Sequence, residues 1–256
     1  MPPLLEAPSP AAQAEAIVAR KPVLAGQVVA VGGLPGCGKT MMTPIVGSLA
    51  RVEIQKFDYA VEYLCSLDFV GKIPRDSGTT MVRMLTDLDL YNLMMSREVN
   101  LRWSDLSSVF QNPAPWRYLR RLAQPGDAHA LERVQRARPI LHLTLHNALA
   151  LSPLLFEALD ERLRVLEVVR HPFYMIKQWF LYIERYGTEP RDFGICLDTP
   201  HGPVPWFAHG WEERFARSNP MDRVIYAIQH LLAAGRRVLE GLSGAQRPQV
   251  LVIPFE

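Results

Sequence analysis

Residues 33–40 read Gly-Leu-Pro-Gly-Cys-Gly-Lys-Thr, and no other feature of the chain restricts its fold as tightly. The spacing is GxxxxGK[ST], that of the phosphate-binding P-loop, and the flanks suit it. Val28-Val29-Ala30-Val31 precedes it, an apolar run fit for a buried parallel strand, and Met41 to Leu49 can form the helix that follows. Glycines let such a turn aim backbone N–H groups at an anion, and the helix N-terminus adds positive potential there. Gly33, Gly36, Cys37, Gly38, Lys39, Thr40 and Met41 are therefore the expected nucleotide contacts. Lys39 would supply a mobile charge and Thr40 a hydroxyl.

A chain of 256 residues fits one α/β domain with a substantial core. Its formal net charge of +2 is too small to imply nucleic acid or an anionic membrane as partner. No apolar stretch approaches the ~18 residues of a spanning helix, so no membrane span is expected. The start, Met-Pro-Pro-Leu-Leu-Glu, lacks the basic region of a secretory signal. Cys37, Cys65 and Cys196 have no metal-ligand spacing and suit a reducing compartment. A cytoplasmic protein without a metal site is the expectation. Cys37 reads as a small loop residue rather than a nucleophile. Arg117, Arg120, Arg121, Arg133, Arg136 and Arg138 form either a solvated helix face or an anion-facing surface.

Residues 1–22 read as a flexible arm with a short helix around Ala11 to Arg20, and 23–256 as a single domain. Five apolar runs, Val28–Gly32, Val52–Phe57, Ile140–Leu145, Arg164–Val169 and Val250–Ile253, alternate with helical stretches. That pattern predicts a three-layer α/β P-loop fold: a mostly parallel five-stranded sheet, order 2-3-1-4-5, covered by helices on both faces. A helical insertion follows strand 2 over about 59–138, with helices around Thr80–Arg97 and Trp116–Leu122. Residues 187–210, rich in Gly, Pro and aromatics, read as a lid-like loop. Met221 to Leu242 forms a long amphipathic helix.

The segment Arg164 to Arg185 carries an apolar strand, then Arg170-His171-Pro172, then a helix. Pro172 suits a helix start, which leaves Arg170 at the carboxyl edge of the sheet, where open α/β folds bind ligands. This element, downstream of the loop, resembles the sulfotransferase family that uses 3′-phosphoadenosine 5′-phosphosulfate. The resemblance implies that Arg170 and the residue eight positions on hold the nucleotide's 3′-phosphate; the family has serine there and this chain has Gln178. Leu143-Thr144-Leu145-His146-Asn147 is similar to the family's strand–Thr-x-His element, which implies His146 as general base. Val250 to Glu256 looks like its late strand ending in an aromatic–Glu pair. Two departures stand out. The cation falls at Lys39, as in kinases, instead of directly after Pro35. The family also continues to a loop that closes on the 3′-phosphate, whereas this sequence stops at Glu256, implying a truncated form or a different closure.

Phosphoryl transfer ordinarily holds Mg²⁺ with an acidic strand end. Neither Ile140–Leu145 nor Arg164–Val169 ends in Asp or Glu, which favours sulfuryl transfer. The expected enzyme moves a sulfuryl group from 3′-phosphoadenosine 5′-phosphosulfate to a hydroxyl or amine of a small molecule or glycan. His146 would take the proton and Lys39 would stabilise the leaving charge. The alternatives are a small-molecule kinase using ATP and Mg²⁺, or a catalytically inactive nucleotide-binding protein. In the kinase, Asp58 would face the acceptor and the arginines at 117–121 would form a lid. Trp206, Phe207 and Trp211 suit an apolar or sugar-like surface, although aromatics in a lid more often serve packing.

Overall fold

Alternation within one strand decides how the sheet is covered. Val28 to Gly32 is buried at every position, yet successive side chains point to opposite faces. Val28 and Ala30 join the main core, while Val29 and Val31 join a smaller cluster with Val46 and Val52. The computed structural model describes residues 16–255. In chain order it contains β1 (Val28–Gly32), α1 (Lys39–Gly47), α2 (Tyr59–Phe69), α3 (Arg75–Met94), α4 (Pro115–Leu122), α5 (Ala128–Ala137) and β2 (Leu141–Thr144). Then come α6 (Ala148–Leu159), β3 (Leu163–Val169), α7 (Ile176–Arg185), the hairpin β4 (Cys196–Thr199) and β5 (Gly202–Pro205), α8 (Glu212–Arg217), α9 (Pro220–Gly241) and β6 (Val250–Pro254).

The main sheet has four strands in the order β2-β1-β3-β6. All its neighbours are parallel, with Val31 opposite Thr144 on one side and Leu166 on the other. Parallel pairing brings the carboxyl ends of all four strands to one edge, and the loops leaving that edge build the site. On the main-core face α6 packs against β1 and β3, flanked by α3 and α9. Almost every residue of α6 is buried, as expected of a helix enclosed by others. On the opposite face α1 lies against β1.

The expected second strand is not formed as a strand. Residues 52–56 touch the β2 side only through isolated parallel bridges, Val52 to Ile140 and Lys56 to Leu143. Glu53 N–H donates to the Ile140 carbonyl and Lys56 N–H to that of His142. Three residues on one side thus span two on the other, a bulge. Within it the Ile54 N–H is taken by the Tyr118 hydroxyl at 2.6 Å. Beyond this segment the chain runs into α2 to α5, the helical insertion.

Residues 187–210 are likewise not an open loop. They fold into the β4–β5 hairpin, and Trp206 and Phe207 beyond it are buried. The Phe207 ring meets Trp179 at 5.6 Å and Tyr186 at 5.7 Å, edge to face, so these aromatics anchor the hairpin to α7. The expected helix around Ala11 to Arg20 lies outside the described residues up to 15, and residues 16–20 carry no regular structure. That stretch is tied to α3: Val18 N–H donates to Asp76, and Arg20 pairs with Asp87 at 2.6 Å. Glu256 lies outside the described residues. Among the described residues no helix is long and apolar enough to cross a membrane.

Candidate functional site

The turn after β1 is shaped by glycine where nothing larger fits. Gly33 has φ +137, and a Cβ there would collide with the Val168 carbonyl and the Cys37 sulfur. Gly38, the N-cap of α1, has φ +95, and a Cβ would come within 2.9 Å of the Phe255 ring. The N–H groups of Gly36, Gly38 and Thr40 make no backbone hydrogen bond among the described residues. Cys37 and Met41 do not join them: Cys37 N–H donates to Leu34 and Met41 N–H to Gly38. The Cys37 thiol is buried and its pKa is raised by that burial, so it is a neutral packing group.

Lys39 opens α1 and is only 6% exposed. Among the described residues its ammonium has no hydrogen bond and no carboxylate within 4 Å. Burial lowers its pKa, against the opposing pull of Cys37, Glu62 and Glu167. A buried cation without a partner costs free energy unless an anion arrives from outside. Free N–H groups beside it form the geometry that receives such an anion.

Glu167 supports this arrangement from inside β3, opposite Gly32. It is buried, and burial raises its pKa to about 7, opposed by the Leu149 N–H it accepts at 3.2 Å and by Lys39. A search for acids at strand ends passes over it, because it stands two residues before the end of β3. The available signal was a lone acid within the apolar run Leu163 to Val169.

Arg170 follows β3 and reaches the loop, where Nη1 donates to the Gly36 carbonyl at 3.3 Å. Its guanidinium lies 5.2 Å from the Tyr174 ring and 5.3 Å from that of Phe255. Arg170 is thus wedged between aromatics and fastened to the loop. Gln178, on α7, places its side-chain oxygen beside Gly36.

The edge of β2 brings the second half of the site. Leu145 N–H donates to Val31 and Asn147 N–H to Gly33, which ties the β2 exit to the loop. His146 lies between them. Both its backbone N–H (2.9 Å) and its Nδ1 (3.1 Å) approach the same Glu62 oxygen, from 84 residues away in sequence. A carboxylate on Nδ1 fixes the tautomer with hydrogen there, leaving Nε2 free to accept a proton. Nothing in the sequence pairs Glu62 with His146; only the packing of α2 against α6 does. A cavity of about 270 Å³ opens beside them, lined by Tyr59, Glu62, Tyr63, His146, Gln178 and Tyr182, with Pro35 of the loop at its rim.

Two other sequence candidates lie apart from this cavity. Asp58 caps α2, its Oδ1 accepting the Val61 N–H at 3.1 Å, and faces Asp89. Arg117 and Arg121 form no lid. They hold the buried carboxylate of Glu53, Arg121 at 2.8 Å, and flank the Tyr118 ring. The helix-face alternative is modified too, since these two side chains point inward at a charge.

No protein-family model matches the chain, and no curated protein is significantly similar to it.

Proposed function

We propose that the chain is a three-layer P-loop enzyme that transfers a sulfuryl group from 3′-phosphoadenosine 5′-phosphosulfate to a hydroxyl or amine acceptor. The observation that carries this reading is a juxtaposition. Lys39, buried and without a partner among the described residues, sits in a loop with free N–H groups, and that loop reaches, through Pro35, a cavity that holds a carboxylate-oriented histidine. An anion-binding turn and a general base facing one space are the two requirements of group transfer from a nucleotide.

The acceptor would enter the cavity with its O–H or N–H toward His146 Nε2. As His146 takes the proton, the freed electron pair attacks sulfur, and the sulfur–oxygen bond to the phosphate breaks. That bond's electrons pass to the departing phosphate, where Lys39 and the N–H groups of Gly36, Gly38 and Thr40 stabilise them. Glu62 holds His146 in orientation and supports the imidazolium that forms. Arg170 fixes the loop through Gly36 and, with Gln178, borders the expected position of the 3′-phosphate.

The ATP-and-Mg²⁺ reading loses two supports, because Arg117 and Arg121 clamp Glu53 and Asp58 faces Asp89. Thermal stabilisation separates the readings. Adenosine 3′,5′-bisphosphate without Mg²⁺ should raise Tm, and ADP should do so less. Stabilisation by ATP only when Mg²⁺ is added would sink the sulfuryl-transfer reading in favour of a kinase. No response to any nucleotide would favour an inactive protein. With an active donor–acceptor pair, His146→Ala should lower kcat about 10²–10⁴-fold while the nucleotide Tm shift persists.

A further inference from the structure

The outward face of α3 is apolar where a surface helix ordinarily carries its charges. Its inward face takes Val82, Leu90 and Leu93, as expected, but also the acids Asp87 and Asp89. Asp87 accepts the N–H groups of Leu24 and Ala25 and pairs with Arg20, while Asp89 pairs with Lys56. Arg83 is likewise engaged within the chain, its Nε donating to the Ala158 carbonyl at 2.8 Å. Met81, Met84 and Leu88 point the other way. With Val23 of the segment before β1 and Leu131 of α5, each is between 40% and 55% exposed. These five side chains line one groove of about 740 Å³. Clustered apolar exposure of this kind marks an interaction surface rather than a solvated helix.

The spacing along that face specifies the shape that fits it. Met81, Met84, Leu88 and Tyr91 recur at intervals of three, four and three residues, the a and d positions of a heptad, with Leu85 beside them. A seam of this kind packs against another helix. We infer that the partner is α3 of a second copy of this chain, the two seams meeting about a two-fold axis. Such an axis sets each residue close to its own counterpart, so a charge on the face would meet its like. The outward positions 81, 84, 85, 88 and 91 carry no charge, and the Arg20–Asp87 pair at the groove is neutral as a unit. Size agrees as well. The five exposed side chains present about 450 Å², at roughly 200 Å² for one fully exposed, close to the apolar share of about 65% in the roughly 800 Å² that each partner buries in a standard interface.

Sedimentation equilibrium of the full chain between about 1 and 100 μM, a span that brackets a micromolar dissociation constant, tests this. At the upper end wild type should sediment at twice the chain mass. Leu88→Glu, at an exposed position, should raise the dimer dissociation constant about 100-fold or more, because like charges then meet near the axis. Leu88→Lys should do the same. An equimolar mixture of these two variants should recover the dimer, since each glutamate then meets a lysine. Circular dichroism of each variant should match that of wild type. A wild-type monomer at every concentration overturns the inference and leaves the face to a different partner. A dimer that survives both Leu88→Glu and Met84→Glu overturns it too, by placing the contact elsewhere on the molecule. So does a mixture that stays monomeric. If Leu88→Glu does not fold, the wild-type mass and Met84→Glu decide the matter. None of these readouts involves a nucleotide, so they stand whichever way the transfer reading falls.

Discussion

Two lysines are drawn into this protein, and their surroundings are opposite in kind. Lys39, at the start of α1, has no carboxylate within 4 Å among the described residues, and burial lowers its pKa. Lys56, in the bulged segment beside β2, is paired with Asp89 and Glu98, and those two carboxylates raise its pKa despite its burial. Lys56 has its counter-ions within the fold. Lys39 has no such ion pair among the described residues, and around it the N–H groups of Gly36, Gly38 and Thr40 also lack backbone partners there. The contrast separates a cation paired within the fold from one that the proposed function assigns to a ligand.

The sharpest way to break that contrast is to remove each charge in turn. Lys39→Met should weaken binding of adenosine 3′,5′-bisphosphate by about 100-fold or more, since a buried charge-assisted contact is lost. The same variant without ligand should be as stable as wild type or more stable, by about 1 kcal/mol, because an uncompensated buried charge has gone. Binding by calorimetry and unfolding in urea read the two effects. A ligand-free protein that Lys39→Met destabilises strongly would place Lys39 among the structural lysines.

Lys56→Met should behave in the reverse sense. It strips Asp89 of its cation, and Asp89 is buried beside Asp58. Breaking a buried pair by deleting one partner costs about 3–5 kcal/mol, and the partial exposure of Lys56 argues for the low end or below it. Nucleotide affinity should change little. Urea unfolding at pH 7 measures the first, and calorimetry the second; a large loss of affinity would mean that Lys56, not Lys39 alone, shapes the anion site.

The same contrast explains what was legible beforehand. The turn around Lys39 is local, eight contiguous residues between a strand and a helix, so the strand–turn–helix order was legible from apolar runs and glycine spacing. Strands β1, β2 and β3 were legible as apolar runs because most of their residues are covered on both faces, and β6 was legible by the same apolar run although Leu251 and Val252 at the sheet edge are exposed. Everything that depended on partners distant in sequence was not. The expected second strand fails because the Tyr118 hydroxyl, 64 positions away, takes the N–H of Ile54. The expected arginine lid fails because Glu53, an unremarked acid in an apolar run, turns inward and binds Arg117 and Arg121. His146 was singled out through its resemblance to a strand–Thr-x-His element, but its Glu62 partner was not legible. No spacing rule joins α2 to the β2 exit. The aromatic run at Trp206 stayed open between surface and packing for a related reason: composition marks aromatics as a surface or a core equally well, and only Trp179 and Tyr186 decide for the core.

The finest test of the two lysine settings is their pH dependence. Asp89 is pushed up to about 8, by burial first and by its contact with Asp58 second, with Lys56 acting in the opposite sense. The sign follows from linkage. A carboxyl whose folded pKa lies above its unfolded value binds its proton more tightly in the folded state. The stability it contributes is complete below the ordinary carboxylate pKa and is lost as pH rises through about 8. Thermal stability should therefore decline between pH 6 and pH 9. Asp89→Asn removes this titrating carboxyl and retains Glu98 as a partner for Lys56. It should flatten the decline, leaving the variant within about 0.5 kcal/mol of wild type at pH 6 and about 1 kcal/mol more stable at pH 9. Glu167, raised to about 7, adds a decline of the same sign that Asp89→Asn leaves in place and that bound nucleotide should alter through Lys39. A wild-type stability that rises across this range would mean that Asp89 is ionised in the fold, with Lys56 paired to a full charge.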